Sequence, residues 1–134
     1  MSIIWSEDFL TGITLIDDQH RLLVDAINTL HVAATNAEPV VQNVSDLLFD
    51  VLEHAINNFI TEEEMLQRLD FPGYQTHKSH NDAFNHKAQF IIQELGEGNT
   101  LANDTLMYLN HWLVEHIQLQ NKAYVGFLIQ NGVK

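Results

Sequence analysis

Four segments of the chain place ligand-type side chains on otherwise apolar helical stripes. They are His20, then Asn58 with Glu62, then His77 with Asn81, then His116 with Asn121. Residues four apart lie on one helix face, so Asn58 with Glu62, and His77 with Asn81, can each address a single centre. A carboxylate among apolar residues is costly unless it is paired or bound to metal. Three imidazoles beside one carboxylate suit iron or zinc better than calcium or magnesium. The competing reading is a polar core in which His and Asn satisfy one another, since an amide offers two donors and an acceptor with two lone pairs. There are no cysteines, which excludes disulfides, thiolate metal sites and cysteine nucleophiles. His31, His54, His80, His86 and His111 read as surface or boundary residues, and within the run Glu62, Glu63, Glu64 only Glu62 falls on the stripe.

Four helices must position these groups. The first is expected at about 17–35, with Ile16, His20, Leu23, Ile27, Leu30 and Ala34 at three- and four-residue spacing. The second is expected at about 44–69 on Leu47, Val51, Ala55, Asn58, Glu62, Met65 and Leu69. The third is expected at about 75–95 on His77, Asn81, Phe84, Ala88, Ile91 and Leu95. The fourth is expected at about 101–130 on Leu106, Leu109, Leu113, Ile117, Tyr124 and Leu128, with Asn121 in the row and His116 beside it. Pro39 breaks the first connector, and Pro72 with Gly73 marks the second. "GEGN" ends the third helix, and Asn99 or Thr100 can cap the fourth. Residues 1–15 read as an extended arm whose Trp5, Phe9 and Ile13 cover a bundle end. Short connectors imply antiparallel neighbours, so the expected fold is an all-α, up-down-up-down four-helix bundle in one domain, 1–134.

The 134 residues suffice for one core, and a hydrophobic share of 46% is that of a globular protein. Eighteen acidic against six basic side chains give a formal charge of −12, which repels phosphate backbones and argues against nucleic acid. The N-terminus has no basic n-region, and no apolar run is long enough to span a bilayer. A cytoplasmic protein without membrane attachment is the expectation. No protein partner can be named from the sequence.

Four stretches, "IIWSEDFLTGITLIDDQHRLL", "NFITEEEML", "HKSHNDAF" and "WLVEHIQLQNKAYVGFL", resemble the hemerythrin family, specifically the single-domain bacterial type (bacteriohemerythrin). The resemblance covers nearly the whole chain. It implies a non-haem di-iron site that binds O₂ reversibly, held by five histidines, one glutamate and one aspartate. His20, Glu62, His77 and His116 stand at ligand positions of that pattern. Asn58 and Asn81 stand where the family has histidines, and Asn121 where it has the bridging aspartate. These three departures leave one carboxylate to offset two buried cations, which disfavours a normal di-iron centre.

A single-metal site survives that argument. The positions of His77, His116 and Glu62 meet at one iron in the family's arrangement, a set of two histidines and one carboxylate with open positions. His20 lies toward the second iron's place and can complete a tetrahedral, zinc-like set. His54 is the candidate substitute ligand for position 58, about 6 Å earlier along the helix axis. Three functions follow from these residues. The first is a hemerythrin-like iron and oxygen-binding protein with an altered site and at most one metal, iron or zinc, open to O₂ or another small diatomic ligand. The alternative is a metal-free bundle acting as a sensor or interaction module. The third is an enzyme of the mononuclear iron oxidase or peroxide-reactive kind, which lacks any visible substrate-positioning constellation; the expectation is no enzyme.

Overall fold

The computed structural model describes residues 3–35, 41–96, 103–120 and 122–134. A 3₁₀ turn at Glu7–Phe9 precedes α1, Thr14–Ala34; then come α2, Val41–Arg68, α3, Tyr74–Gly96, and α4, Asn103–Glu115. A π-helical turn, His116–Gln120, joins α4 to α5, Lys122–Gln130. The described residues form an all-helical bundle in which α4, the π turn and α5 together make the fourth helix. No described helix is long and apolar enough to cross a membrane. Pro39, Asn99, Thr100 and Asn121 lie outside the described residues.

The first stripe is buried as its spacing predicts: Ile16, His20, Leu23, Ile27 and Leu30 all face inward. In α2 the inward row is Val44, Leu48, Val51, Ala55, Asn58, Glu62 and Leu66. Leu48 therefore replaces Leu47 in the core, and Leu66 replaces Met65 and Leu69, which are only partly covered. Over this length the buried row must advance slightly more than three and a half residues per turn, as a straight α-helix does.

The fourth helix departs further from expectation, because it is not one regular α-helix. His116 and Tyr124 are both fully buried although eight residues apart. In an unbroken α-helix eight steps leave two side chains about 80° apart. A π turn takes up one extra residue, so the effective offset falls to about 20°. The π turn thereby puts His116 and Tyr124 on one face.

Two connections fix the helices that carry the site. The arm is only partly extended, since Ser6 accepts from Asp8 N–H and opens the 3₁₀ turn that buries Phe9. The Asn28 side chain then pairs with the Ile3 backbone at 2.8 and 2.7 Å, and Asp17 accepts from Thr11 N–H, Thr11 Oγ1 and Gly12 N–H. These bonds tie the arm to α1 beside His20. At the end of α2, Asp70 takes the left-handed conformation at φ 55°, and Phe71 N–H donates back to Leu66 at 2.9 Å. Asp is among the few non-glycine residues that tolerate this conformation. A Cβ on Gly73 would come within 2.7 Å of the Phe71 ring, so a larger residue there would require that ring to move.

Apolar packing lies on both sides of the polar layer. The larger cluster includes Leu23, Ile27, Leu48, Phe59, Phe84, Trp112 and Leu113. A smaller one, Ile13, Ile16, Leu66, Tyr124 and Leu128, closes the other end. The polar layer is held between two dry regions.

Candidate metal centre

Glu62 is the middle of this layer and is 0% exposed. Three imidazoles from three other helical segments point at its carboxylate. His77 Nε2 lies 2.9 Å from Oε1, His20 Nε2 lies 3.2 Å from Oε2, and His116 Nε2 lies 3.4 Å from Oε2. Burial by itself pushes the Glu62 carboxyl upward. The charge of His116 and the hydrogen bonds from His116, His20 and His77 outweigh that effect and hold it well below the usual carboxylate range.

On the α1–α2 side the polar groups form a chain. The Asn58 amide oxygen lies 3.0 Å from His116 Nε2, and its nitrogen donates to Gln19 Oε1 at 3.2 Å. Gln19 Nε2 donates to Thr61 Oγ1 at 2.9 Å, and Thr61 Oγ1 donates to the Asn57 carbonyl at 3.1 Å. Asn58 is thus tied to protein at both ends.

The α3 side is different. Asn81 lies one turn beyond His77 and is 1% exposed, yet neither its amide oxygen nor its nitrogen has a hydrogen-bond partner among the described residues. The same holds for His116 Nδ1 and the Tyr124 hydroxyl. Burial raises the Tyr124 phenol well above its ordinary pKa, and the nearby Glu62 charge adds to the rise. The hydroxyl feels that charge without making a well-formed bond to it. A surface pocket lined by Phe71, Gly73, Thr76, His77, His80 and Tyr124 reaches this flank.

Aromatic rings wall the remaining directions. Trp112 lies nearly parallel to His116, with centroids 5.0 Å apart at 19°, and Phe84 stacks on Trp112 at 3.8 Å. Phe59 meets His116 edge-on at 5.5 Å, and Tyr124 meets His77 edge-on at 4.9 Å. Such contacts fix ring orientation, which a donor set requires.

The structure gathers His20, Glu62, His77 and His116 and brings Asn58 to their edge, while Asn81 is buried one turn beyond His77. The tightest trio is His20, Glu62 and His116, whose candidate donor atoms lie within 4.8 Å of one another. His77, expected in the nearest trio, faces the other carboxylate oxygen instead. His54 is half-buried one turn away and is not part of the gathered group. Gln19 and Thr61 are absent from the sequence-based list because they lie off the apolar stripe. Trp112 was missed as a site neighbour, although its place four residues before His116 puts it one turn away on the same face.

Three nitrogen donors and one carboxylate fit one divalent first-row cation. Asn58 is engaged by Gln19 and His116.

The family model of the hemerythrin HHE cation binding domain matches residues 11–128. Bacteriohemerythrin of Stenotrophomonas maltophilia is 27% identical over 122 residues, covering 91% of this chain and 78% of that protein. Bacteriohemerythrin of Methylococcus capsulatus is 29% identical over 119 residues, covering 87% and 88%. A crystal structure of wild-type hemerythrin superposes with a TM-score of 0.87 at 24% identity, covering 94% of this chain and 97% of that one. That likeness carries the four-helix-bundle fold.

Proposed function

The chain belongs to the hemerythrin family, and from that premise we propose an iron and oxygen-binding protein whose site is altered to hold at most one metal. One observation carries this reading: three imidazole nitrogens converge on a single buried carboxylate, Glu62. Glu62, His20, His77 and His116 are the proposed ligands. Asn58, Asn81 and Asn121 are proposed as ligand positions of the family that have changed type.

Held by His20, Glu62, His77 and His116, a cation would supply an electrophilic centre for O₂ or another small diatomic ligand. The chain's own contributions are separate from that. Glu62 supplies one negative charge in a dry layer, where charge is least screened. Trp112, Phe84 and Phe59 exclude water from the His116 side. Iron is the family's metal, and zinc meets the same donor preferences. The proposed role is binding, in one domain, without nucleic acid or membrane.

A second reading has its own support. Each imidazole Nε2 already faces an acceptor, so these three nitrogens are satisfied without a cation. The protein would then be a metal-free sensor or interaction module built on the same bundle.

Metal analysis decides between the two. Protein loaded anaerobically with ferrous iron, and separately with zinc, is expected to retain no more than one metal per chain. Two irons per chain would overturn the proposal, and none with either metal would establish the metal-free module. Peroxide turnover by the loaded protein would move it to the enzyme class.

A further inference from the structure

His20, Glu62 and His116 are fully enclosed between two apolar clusters. A charge crossing such packing meets a large desolvation cost unless polar or charged groups accompany it. His77 is the exception in the set: it is 5% exposed where the other three are 0%. It also lines the surface pocket of about 440 Å³ that opens between the start of α3 and the fourth helix. The groove between α2 and α3, lined by Leu52, Ile56 and Ala88, is lined by none of the four. The pocket beside His77 is graded from outside to inside. Thr76, His80, Glu115 and Ala123 are exposed, whereas His77 and Tyr124 are buried. His80 and Glu115 are of the types that bind first-row cations. At the inner end His77 Nε2 lies 2.9 Å from Glu62 Oε1, and Oε2 faces His20 and His116. Ligand-type groups thus run in order from solvent to the carboxylate. On the opposite flank Gln19 is bonded to both Asn58 and Thr61, so entry there would break those bonds.

Resting on the single-metal reading, we infer that this pocket is the route by which a divalent cation reaches and leaves the centre, with His80 and Glu115 at its mouth and His77 at its inner end. The formal charge of −12 draws cations to the surface generally. A carboxylate in a cleft with low-dielectric walls concentrates them locally and speeds association. His80 and Glu115 stand outside the ligand set, so they set rates and leave affinity alone. A residue on a route alters the barrier between two end states and neither end state. Uptake and release therefore change by the same factor, whereas loss of a ligand changes the affinity.

Cobalt(II) is a suitable probe, because its visible bands follow binding independently of any activity. Stopped-flow mixing with metal-free protein gives the uptake rate, excess EDTA gives the release rate, and zinc competition gives the affinity. Wild type is compared with Ala123→Trp, with His80→Gln and Glu115→Gln combined, and with Ile56→Trp in the α2–α3 groove as control. Circular dichroism confirms the fold of each. Ala123 is exposed, so an indole there can fill the mouth without entering the core. Ala123→Trp is expected to slow uptake and release equally, by about tenfold or more, the lower end of what a focusing cleft supplies. The double variant should slow both several-fold and flatten the salt dependence of uptake. It decides the matter if Ala123→Trp folds poorly. Ile56→Trp should match wild type, and affinity should be unchanged throughout. If either folded mouth variant loads at the wild-type rate, or loads slowly with release unchanged, the inference fails while the single-metal reading stands. Equal slowing by Ile56→Trp would also overturn it, because the barrier would then be opening of the whole bundle. If wild type takes up neither cobalt nor zinc, the single-metal reading fails and the inference goes with it.

Discussion

The two flanks of Glu62 set one residue type, Asn, in opposite surroundings. On the α1–α2 flank, Asn58 is tied to Gln19 and His116, and Gln19 to Thr61. On the α3 flank, Asn81 and the Tyr124 hydroxyl are buried without partners among the described residues. A buried Asn is satisfied where a complementary amide stands opposite. Where none does, it stays an unsatisfied group that a ligand can complete. The surroundings decide which, and residue identity does not.

The largest test removes what the flanks share. Glu62→Ala would leave three imidazoles converging on nothing, and should abolish metal binding. Breaking a buried ionic cluster from one side costs roughly 3–5 kcal/mol, so chemical denaturation should show a loss on that scale. A loss below about 1 kcal/mol, the range of exposed ion pairs, would mean that the two flanks are not coupled through Glu62.

Acid should weaken the metal-free protein next most, since protonation keeps the Glu62 side chain in place. Its folded pKa is held below the ordinary value of 4.5. The unfolded chain therefore binds the proton more readily. The resulting stability is fully present above the ordinary value and is lost as pH falls toward the folded one. Denaturant melts below pH 5 should show this decline, and Glu62→Gln should remove that component of it. An unchanged acid limb in Glu62→Gln would place the sensitivity elsewhere.

The last test sets the flanks directly against each other in metal-free protein. Asn58→Ala takes the donor from Gln19 Oε1 and the acceptor from His116 Nε2, at a cost of about 1–2 kcal/mol. Asn81→Leu removes an amide that bonds to nothing and should be neutral or stabilising, within about 1 kcal/mol. Equal destabilisation by the two would erase the contrast.

Much of this was legible beforehand, for a physical reason. The stripe Ile16, His20, Leu23, Ile27 and Leu30 reads as a buried face because apolar spacing and burial share one period. The same logic placed His20, Glu62, His77 and His116 inward, and their motif spacing pointed to a common centre. The π turn at His116–Gln120 was not legible, because it is a backbone hydrogen-bonding choice without a residue signature. Nor was the choice of Leu48 over Leu47, since both are leucines within one step of the same row. The difference between Asn58 and Asn81 was invisible for a further reason. It depends on Gln19, a residue of another helix that lies off every stripe.

Trp112 has a photophysical consequence. The chain carries two tryptophans, Trp5 and Trp112. Trp5 sits half-buried on the arm, stacked on Phe9 beneath the Arg21 guanidinium. Trp112 is buried against His116, with the ring centroids 5.0 Å apart. Any change of charge on His116, or any ion bound to it, therefore acts on the excited state of one indole and leaves the other as an internal reference. The bundle carries its own optical reporter, placed by the packing that orients the site.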